Sequence, residues 1–252
     1  MRLPLTLPVL IAALCASAGA QASDIKVLTA GAFKSVLLAE VPEFERQTGH
    51  KVSVLNDTAG ALLRRIKGGE AFDLAVLTPA VVDELVKSGE LAAGTSAPVA
   101  RVGIGVAVKK GAPLPDVSTT QNFRQALLSA RAVAYIDPKA GGTSGIYLAQ
   151  LFERMGIAAQ VNPKAVLVPG GYTAERLVTG EADIAVQQMS ELVAVDGAQV
   201  AGPLPAEVQN YTIYAGAIGS KAAERAAAMQ LLTALQRPGI RPVLESKGLM
   251  AP

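Results

Sequence analysis

The sequence predicts an α/β protein of two lobes, with parallel-type sheets flanked by helices and two hinge crossings between the lobes. Two observations lead to this prediction. Short β-rich runs alternate with amphipathic helical runs, and two long strand-like segments divide the alternation into two series. A single doubly wound sheet is the alternative that the same alternation leaves open. Half of the 252 residues are hydrophobic, so either arrangement has enough apolar side chain for a core.

The first series consists of three strand–helix pairs. One predicted helix has Pro79 in its first turn and Gly89 just after its end, which are ordinary start and stop signals. Pro42 lies inside another and predicts a kink or a break, because proline has no N–H for the helical hydrogen bond. The predicted strands are 25–30, 51–55 and 73–77, and the predicted helices are 33–47, 60–67 and 79–88.

The second series lies between the two long strand-like segments, 101–109 and 209–218. Because the chain would leave one lobe through the first segment and return near the second, we expect lobe 1 at 23–103 plus 212–252 and lobe 2 at 104–211. The other predicted strands are 132–136, 165–168 and 183–187, and the other predicted helices are 120–129, 143–155, 172–179, 221–235 and 240–246.

Residues 1–22 are predicted to be a cleaved signal peptide, which places the mature protein in the periplasm. Arg2 supplies a positive start and residues 3–14 an apolar run. The small residues of the cleavage site are Ala18 and Ala20, or Ala20 and Ala22. The apolar run is too short to span a membrane as a helix. Cys15 leaves lipid attachment as an alternative, although a bulky leucine precedes it.

The composition excludes several classes of function. One cysteine and one histidine are too few for structural zinc or a blue-copper site. The histidine, His50, is expected in a solvated turn, and no Gly-x-Ser-x-Gly motif is present, so a serine-hydrolase triad is not predicted. A net charge of +2 argues against nucleic acid as a partner. We expect no cofactor, no metal, no membrane insertion of the mature chain, and a monomer.

The segment 137–145, Asp-Pro-Lys-Ala-Gly-Gly-Thr-Ser-Gly, is the strongest functional signal in the sequence. It is typical of a strand end, a glycine-rich turn and a helix that begins at Thr143 and Ser144. A helix start has unpaired N–H groups and a partial positive charge, and small residues let an anion reach both. The segment therefore predicts a site for a small anion. An ordinary capped helix after a tight turn is the alternative.

Four segments of the chain form a recognisable set of motifs. They are Thr-Ala-Gly-Ala-Phe-Lys-Ser at 29–35, Asp-Thr-Ala-Gly-Ala-Leu-Leu-Arg-Arg-Ile at 57–66, Phe-Asp-Leu-Ala-Val-Leu at 72–77 and Thr-Gly-Glu-Ala-Asp-Ile-Ala-Val at 179–186. Together they resemble the periplasmic molybdate-binding proteins of ABC transporters. The resemblance covers essentially the whole mature chain. It implies a two-lobe periplasmic-binding-protein fold that closes on a small anionic ligand, with an ABC permease as partner.

The chain departs from this family where the family's oxyanion ligands are expected. Ala32 and Phe33 stand in place of a serine motif after the first strand, and Ala59 stands in place of a second serine. Each missing donor leaves an oxyanion oxygen unpaired at a cost of about 1–3 kcal/mol, so an organic carboxylate is favoured over molybdate. The predicted ligand-binding residues are Phe33, Lys34, Ser35, Thr58, Lys139, Thr143, Ser144, Gly145, Tyr172, Gln187 and Gln188.

Two functions remain open on the sequence. The first is a substrate-binding protein that carries its anion to the permease. The second comes from a catalytic branch that the resemblance includes, the aconitate isomerases, which interconvert cis- and trans-aconitate by a cofactor-free proton shift. Such a shift needs a group that takes and returns a proton. Lys34, Lys139, Tyr172 or Glu191 would supply it, and the sequence does not choose among them.

Overall fold

A computed structural model describes residues 22–252, so the predicted signal peptide lies outside the described residues except for its last position. The chain forms a mixed α/β structure with helices on both faces of its sheets. Within the described part of the chain, no helix is both long and apolar enough to cross a membrane.

The first part of the chain forms three strand–helix pairs and the long strand β4. Its elements are β1 (Asp24–Ala30), α1 (Gly31–Thr48), β2 (Lys51–Asp57), α2 (Ala59–Lys67), β3 (Leu74–Leu77), α3 (Pro79–Ser88) and β4 (Ala97–Lys109). The remainder forms α4 (Thr120–Ser129), β5 (Val133–Ile136), α5 (Thr143–Arg154), α6 (Ala158–Val161), β6 (Ala165–Val168), α7 (Glu175–Val178), β7 (Ile184–Gln188), α8 (Met189–Leu192), β8 (Ala198–Pro203), β9 (Tyr211–Ile218), α9 (Arg225–Ala234) and α10 (Arg241–Ser246).

The strands follow the order β2-β1-β3-β9-β4-β7-β5-β6, with β8 also paired to β4. In the first lobe β1, β2 and β3 are parallel, and in the second lobe β5, β6 and β7 are parallel. Strands β4 and β9 are antiparallel to their neighbours. This arrangement confirms the predicted two-lobe fold, and it directs the carboxyl ends of both parallel sets to the region between the lobes.

Strand β4 passes from one lobe to the other. It pairs with β9 as far as Gly103 and with β7 from Ile104 onward. The Gln209 side chain holds this crossing, because its Oε1 accepts the N–H of Ile104 (2.8 Å) and its Nε2 donates to the Ile104 carbonyl (2.9 Å). Any side chain at position 103 would meet the same amide, at 3.2 Å from its Cβ. The predicted lobe boundaries remain a prediction. The change in the strand paired with β4, from β9 to β7 between residues 103 and 104, is consistent with them.

Each lobe has apolar clusters on both faces of its sheet. In the first lobe, α1 and α9 cover one face and α2 and α3 the other. In the second lobe, α4 and α5 bury Phe123 and Phe152 on one face, and α7 and α8 cover the other. Phe152 meets Tyr135 of β5 edge-on with 5.4 Å between ring centroids, which fixes α5 against the strand that precedes it.

Several predicted elements differ from the structure. Helix α1 continues through Pro42 to Thr48 and does not break there. The carbonyl that loses its partner belongs to Leu38, whose side chain is 54% exposed, so water can replace the lost hydrogen bond. The helix predicted at 172–179 contracts to the single turn of α7, and the short elements α6, α8 and β8 were not predicted.

The expectation of a solvated histidine is wrong. His50 is only 6% exposed, and its Nδ1 accepts the backbone N–H of Ser23 at 3.2 Å. Its Nε2 lies 3.3 Å from Oε1 of Gln230, a residue of α9. The imidazole therefore joins the start of the described chain to a distant helix, which is a structural role that the local sequence does not reveal.

Candidate functional site

A small cavity lies between the lobes, at the carboxyl ends of four parallel strands. This is the position where ligands bind in open α/β sheets. Strands β1 and β2 contribute the first lobe's wall, and β5 and β7 contribute the second lobe's wall. The lining residues are Ala30, Gly31, Ala32, Asn56, Asp57, Thr58, Ala59, Ile136, Gly142, Thr143, Ser144, Gly171, Gln188, Glu191 and Tyr214.

Three helices begin at this cavity, namely α1 at Gly31, α2 at Ala59 and α5 at Thr143. Only α2 has a side-chain cap, in which Thr58 accepts the N–H of Ala61 at 3.1 Å. The starts of α1 and α5 have no side-chain cap. Their first-turn N–H groups and the positive ends of both helix dipoles are therefore available to an anion in the cavity.

The two lobes touch at one edge of the cavity. The hydroxyl of Thr58 donates to the Ala140 carbonyl across the cleft at 2.6 Å, and the Gly60 N–H donates to the Gly141 carbonyl at 3.1 Å. A Cβ at position 60 would lie 2.8 Å from the Gly141 Cα. Two glycines thus allow the backbones to meet, and the structure represents the lobes in a closed arrangement.

Glu191 is the titratable group on which the chemistry of the cavity depends. Its side chain is 8% exposed, and burial raises its pKa from 4.5 to about 8, with the Gln187 amide offsetting part of the rise. No Lys or Arg of the described residues forms an ion pair with it. A Cβ at position 31 would lie 2.6 Å from its Oε1, so the carboxyl reaches the start of α1 only because Gly31 has no side chain.

A hydrogen-bonded group of side chains forms the wall next to Glu191. Gln188 is 1% exposed, and its Nε2 donates to the hydroxyls of Thr143 (3.1 Å) and Thr212 (2.8 Å). Its Oε1 is buried and has no partner among the described residues. Burial, and then the charge of Glu191, raise the pKa of Tyr214, which Thr143 partly offsets. Tyr214 therefore remains protonated and can donate a hydrogen bond.

Asp57 is the second carboxyl on the cavity wall. Its Oδ1 accepts the N–H of Thr58 at 2.8 Å, and its Oδ2 lies 3.5 Å from Nη1 of Arg65. Arg65 also contacts Glu70, at 2.5 and 2.8 Å, so it offsets only part of the Asp57 charge.

Four of the residues predicted to bind ligand line the cavity: Thr58, Thr143, Ser144 and Gln188. Gln187 lies just behind it, where its Oε1 accepts the N–H and hydroxyl of Thr173 (2.8 and 2.9 Å) and its Nε2 donates to Gly171. It thereby fixes the loop before α7.

The structure places the other predicted residues elsewhere. Phe33 is fully buried in the core of the first lobe. Gly145 lies against β5, where a Cβ would be 2.1 Å from the Ile136 carbonyl oxygen, so helix packing requires a glycine there. Lys139 is exposed in the turn before α5.

Lys34, Ser35 and Tyr172 lie at the junction of the lobes outside the cavity. The Nζ of Lys34 is 5.9 Å from the centroid of the Tyr172 ring. Ser35 and Tyr172 line a second groove, which Val193 and Lys247 also border. The structure thus separates these residues from the cavity that holds Thr143 and Gln188.

Sequence reasoning did not include Asn56, Asp57, Glu191 or Tyr214 among the ligand-binding residues, although it named Glu191 as a proton-transfer candidate. The signal for Glu191 was available, because it follows the polar pair Gln187–Gln188 at a strand end. Tyr214 gave no local signal, since only the pairing of β9 with β3 and β4 brings it to the cavity. Within residues 22–252, no cluster of three His, Cys, Asp or Glu side chains could hold a metal ion.

Comparison with known proteins identifies the family. Residues 25–250 match the family described as bacterial extracellular solute-binding protein. The chain belongs to this family. The chain is also 33% identical to a protein named aconitate isomerase from a Pseudomonas species, over 233 residues that cover 90% of this chain and 87% of that protein.

Solved structures show the same fold at low sequence identity. The periplasmic molybdate-binding protein of Azotobacter vinelandii has a TM-score of 0.77 at 20% identity, covering 90% of this chain and 99% of its own. The sulfate-binding protein SubI of Mycobacterium tuberculosis H37Rv has a TM-score of 0.72 at 17% identity, covering 91% and 87%. This solute-binding protein therefore has the two-lobe fold of periplasmic binding proteins.

The raised pKa of Glu191 predicts that stability depends on pH. A carboxyl with a higher pKa in the folded state binds more protons when folded, so stability is full below pH 4.5 and falls toward pH 8. The loss is at most about 1.4 kcal/mol per pH unit. We expect the melting temperature to fall between pH 5 and pH 8, and to fall less in Glu191→Gln. The exposed Glu153→Gln is the matched control, and identical profiles for all three proteins would contradict this assignment.

The close contact of Gly60 and Gly141 predicts that a side chain at position 60 holds the lobes apart. We expect Gly60→Ala to increase the radius of gyration of the ligand-free protein in small-angle X-ray scattering and to weaken ligand binding. Gly170→Ala is the control, because its Cβ has room, with Asp57 Oδ1 at 3.8 Å as the nearest atom. An unchanged radius in Gly60→Ala would show that the contact does not limit closure.

Proposed function

We propose that the protein binds a small organic carboxylate in the cavity between its lobes and delivers it to an ABC permease. The observation that carries this proposal is the pair of helix starts, at α1 and α5, that lack side-chain caps and line the cavity between the lobes. No lysine or arginine is among the lining residues, so backbone N–H groups and hydroxyls would hold the charge. Family membership supports the same function.

The preference for a carboxylate over molybdate rests on the hydroxyl donors that are missing at the two family serine positions. Ala32 and Ala59 both line the cavity and offer methyl groups there. The hydroxyl of Thr58 is directed at the Ala140 carbonyl, so it is already used in lobe closure. Each missing hydroxyl removes about 1–3 kcal/mol from the binding of an oxyanion that has no other partner for that oxygen. The likeness to a molybdate-binding structure extends to the fold alone.

The proposed location is the periplasm, with removal of residues 1–22. The sequence signature of the signal peptide and the family description, which is extracellular, support it. In this setting the closed lobes would present a loaded surface to the permease, and opening would release the anion.

A proton-shift isomerase is the second candidate, and Glu191 is the observation that favours it. With a pKa of about 8, this carboxyl exists in both protonation states near neutral pH, as a group that takes and returns a proton requires. Tyr214 stays protonated across the same cavity and would stabilise negative charge that develops on the substrate. The relative named aconitate isomerase supports this candidate at 33% identity.

A melting-temperature screen tests the first proposal. The mature protein is heated with di- and tricarboxylates, and with molybdate and sulfate, each at millimolar concentration. A ligand at a hundred times its Kd adds about 2.7 kcal/mol to the free energy of unfolding, which shifts the melting temperature by several degrees. We expect a shift with at least one carboxylate and none with molybdate. A shift with molybdate alone would contradict the proposal.

Proton NMR with trans-aconitate tests the second candidate. An isomerase would produce the cis isomer over hours, and Glu191→Gln would lose this activity while it retains the fold. The heat-denatured protein and the Glu153→Gln variant are the controls. An unchanged spectrum with folded wild-type protein would reject the isomerase and leave the carrier.

A further inference from the structure

We propose that the ligand is an anion that also carries a hydroxyl donor, namely a small hydroxycarboxylate. The proposal rests on the carrier function above and specifies its substrate class. It comes from a mismatch in the cavity, which offers donors at its helix starts and also a buried acceptor that no described residue uses.

The donors of the cavity account for a negative charge. The starts of α1 and α5 have no side-chain caps, and Gly31 and Thr143, the first residues of these helices, line the cavity. The N–H groups of these helix starts suit one carboxylate of the ligand. They do not account for Gln188 and Glu191, whose polar side chains also line the cavity.

The acceptor is Oε1 of Gln188. The hydroxyls of Thr143 and Thr212 fix the amide by accepting from its Nε2, and in this orientation Oε1 is left without a partner. The residue lines the cavity and is 1% exposed. A buried acceptor without a partner is costly, so binding a ligand that supplies a hydrogen there is favoured over one that does not.

Glu191 lies on the same wall and permits such a ligand. In its neutral form the carboxyl does not repel a carboxylate, and its carbonyl oxygen still accepts a hydrogen bond. Gly31 leaves the space through which it reaches the α1 start. A hydroxyl next to a carboxylate would therefore meet acceptors while the carboxylate meets the helix N–H groups.

Ligands without a donor hydrogen would leave Gln188 unsatisfied. Succinate, propionate, sulfate and molybdate belong to this group at neutral pH. Replacing a hydroxyl by hydrogen in a ligand that pairs with a buried acceptor weakens binding by about tenfold or more. The structure thus predicts discrimination within pairs of ligands that differ by one oxygen atom.

The experiment is isothermal titration calorimetry of the mature wild-type protein with two matched pairs, malate against succinate and lactate against propionate, using both enantiomers of each hydroxy acid. We expect one enantiomer of malate or of lactate to bind at least about tenfold more tightly than the matched acid that lacks the hydroxyl, succinate or propionate. Gln188→Met should reduce this ratio to about one, and the exposed Gln160→Met should keep it.

Three results would overturn the inference. Equal affinity within both pairs would show that water or the opposite amide orientation satisfies Gln188, and the carrier function would stand. A preserved ratio in Gln188→Met, with an intact melting transition, would place the discrimination elsewhere. Binding of none of the four acids, together with no carboxylate in the melting screen, would contradict the carrier function itself. The affinity ratio of the wild-type protein within each pair of acids tests the inference even if Gln188→Met does not fold.

Discussion

The site depends on backbone N–H groups that the fold leaves without partners at one point between the lobes. Helices α1 and α5 follow parallel strands of different lobes, and neither has a side-chain cap. Small residues at both starts, Gly31 and Gly142, keep the backbone accessible. The resulting positive potential needs no lysine or arginine, which allows the cavity walls to remain buried and the lobes to close.

Closure is what gives the buried polar groups their properties. With Thr58 and Gly60 bonded across the cleft, Glu191 and Gln188 lie away from water, and burial raises the pKa of Glu191. An open cleft would solvate both groups and return the carboxyl toward its ordinary pKa. The protonation of Glu191 and the position of the lobes are therefore linked, since each ligand-binding cycle would bury and expose this group. The same linkage suits a carrier that releases its ligand on opening and an enzyme that exchanges protons with water between turnovers.

The alternation of strands and helices was sufficient to predict the two lobes, because the hydrophobic periodicity of each strand and helix is visible within a few neighbouring residues. Thr120–Ser129 and Ala165–Val168 have the bounds that the sequence indicates. The glycine-rich turn likewise predicted Thr143 and Ser144 at the cavity. Local patterns could not show whether Phe33 is buried in the core or faces a ligand, since a phenylalanine just after a strand end is compatible with either position.

Long-range contacts explain what the sequence did not reveal. Tyr214 reaches the cavity through the register of β9, and His50 is buried by Ser23 and Gln230, which are 27 and 180 residues away along the chain. The role of Gly145 depends on its distance to Ile136 in the preceding strand, which only the packed helix defines. Short elements such as α8 have too few residues for a periodic pattern, and α8 carries Glu191.

The most direct test of this account is a titration of the isotope-labelled mature protein with its best-binding carboxylate, followed by the backbone amide resonances. If the anion is held by the two helix starts, the amides of Gly31, Ala32, Thr143 and Ser144 should shift most and should saturate together. If these amides stay in place while those around Ser35 and Tyr172 move, the anion binds in the neighbouring groove and the central claim is wrong.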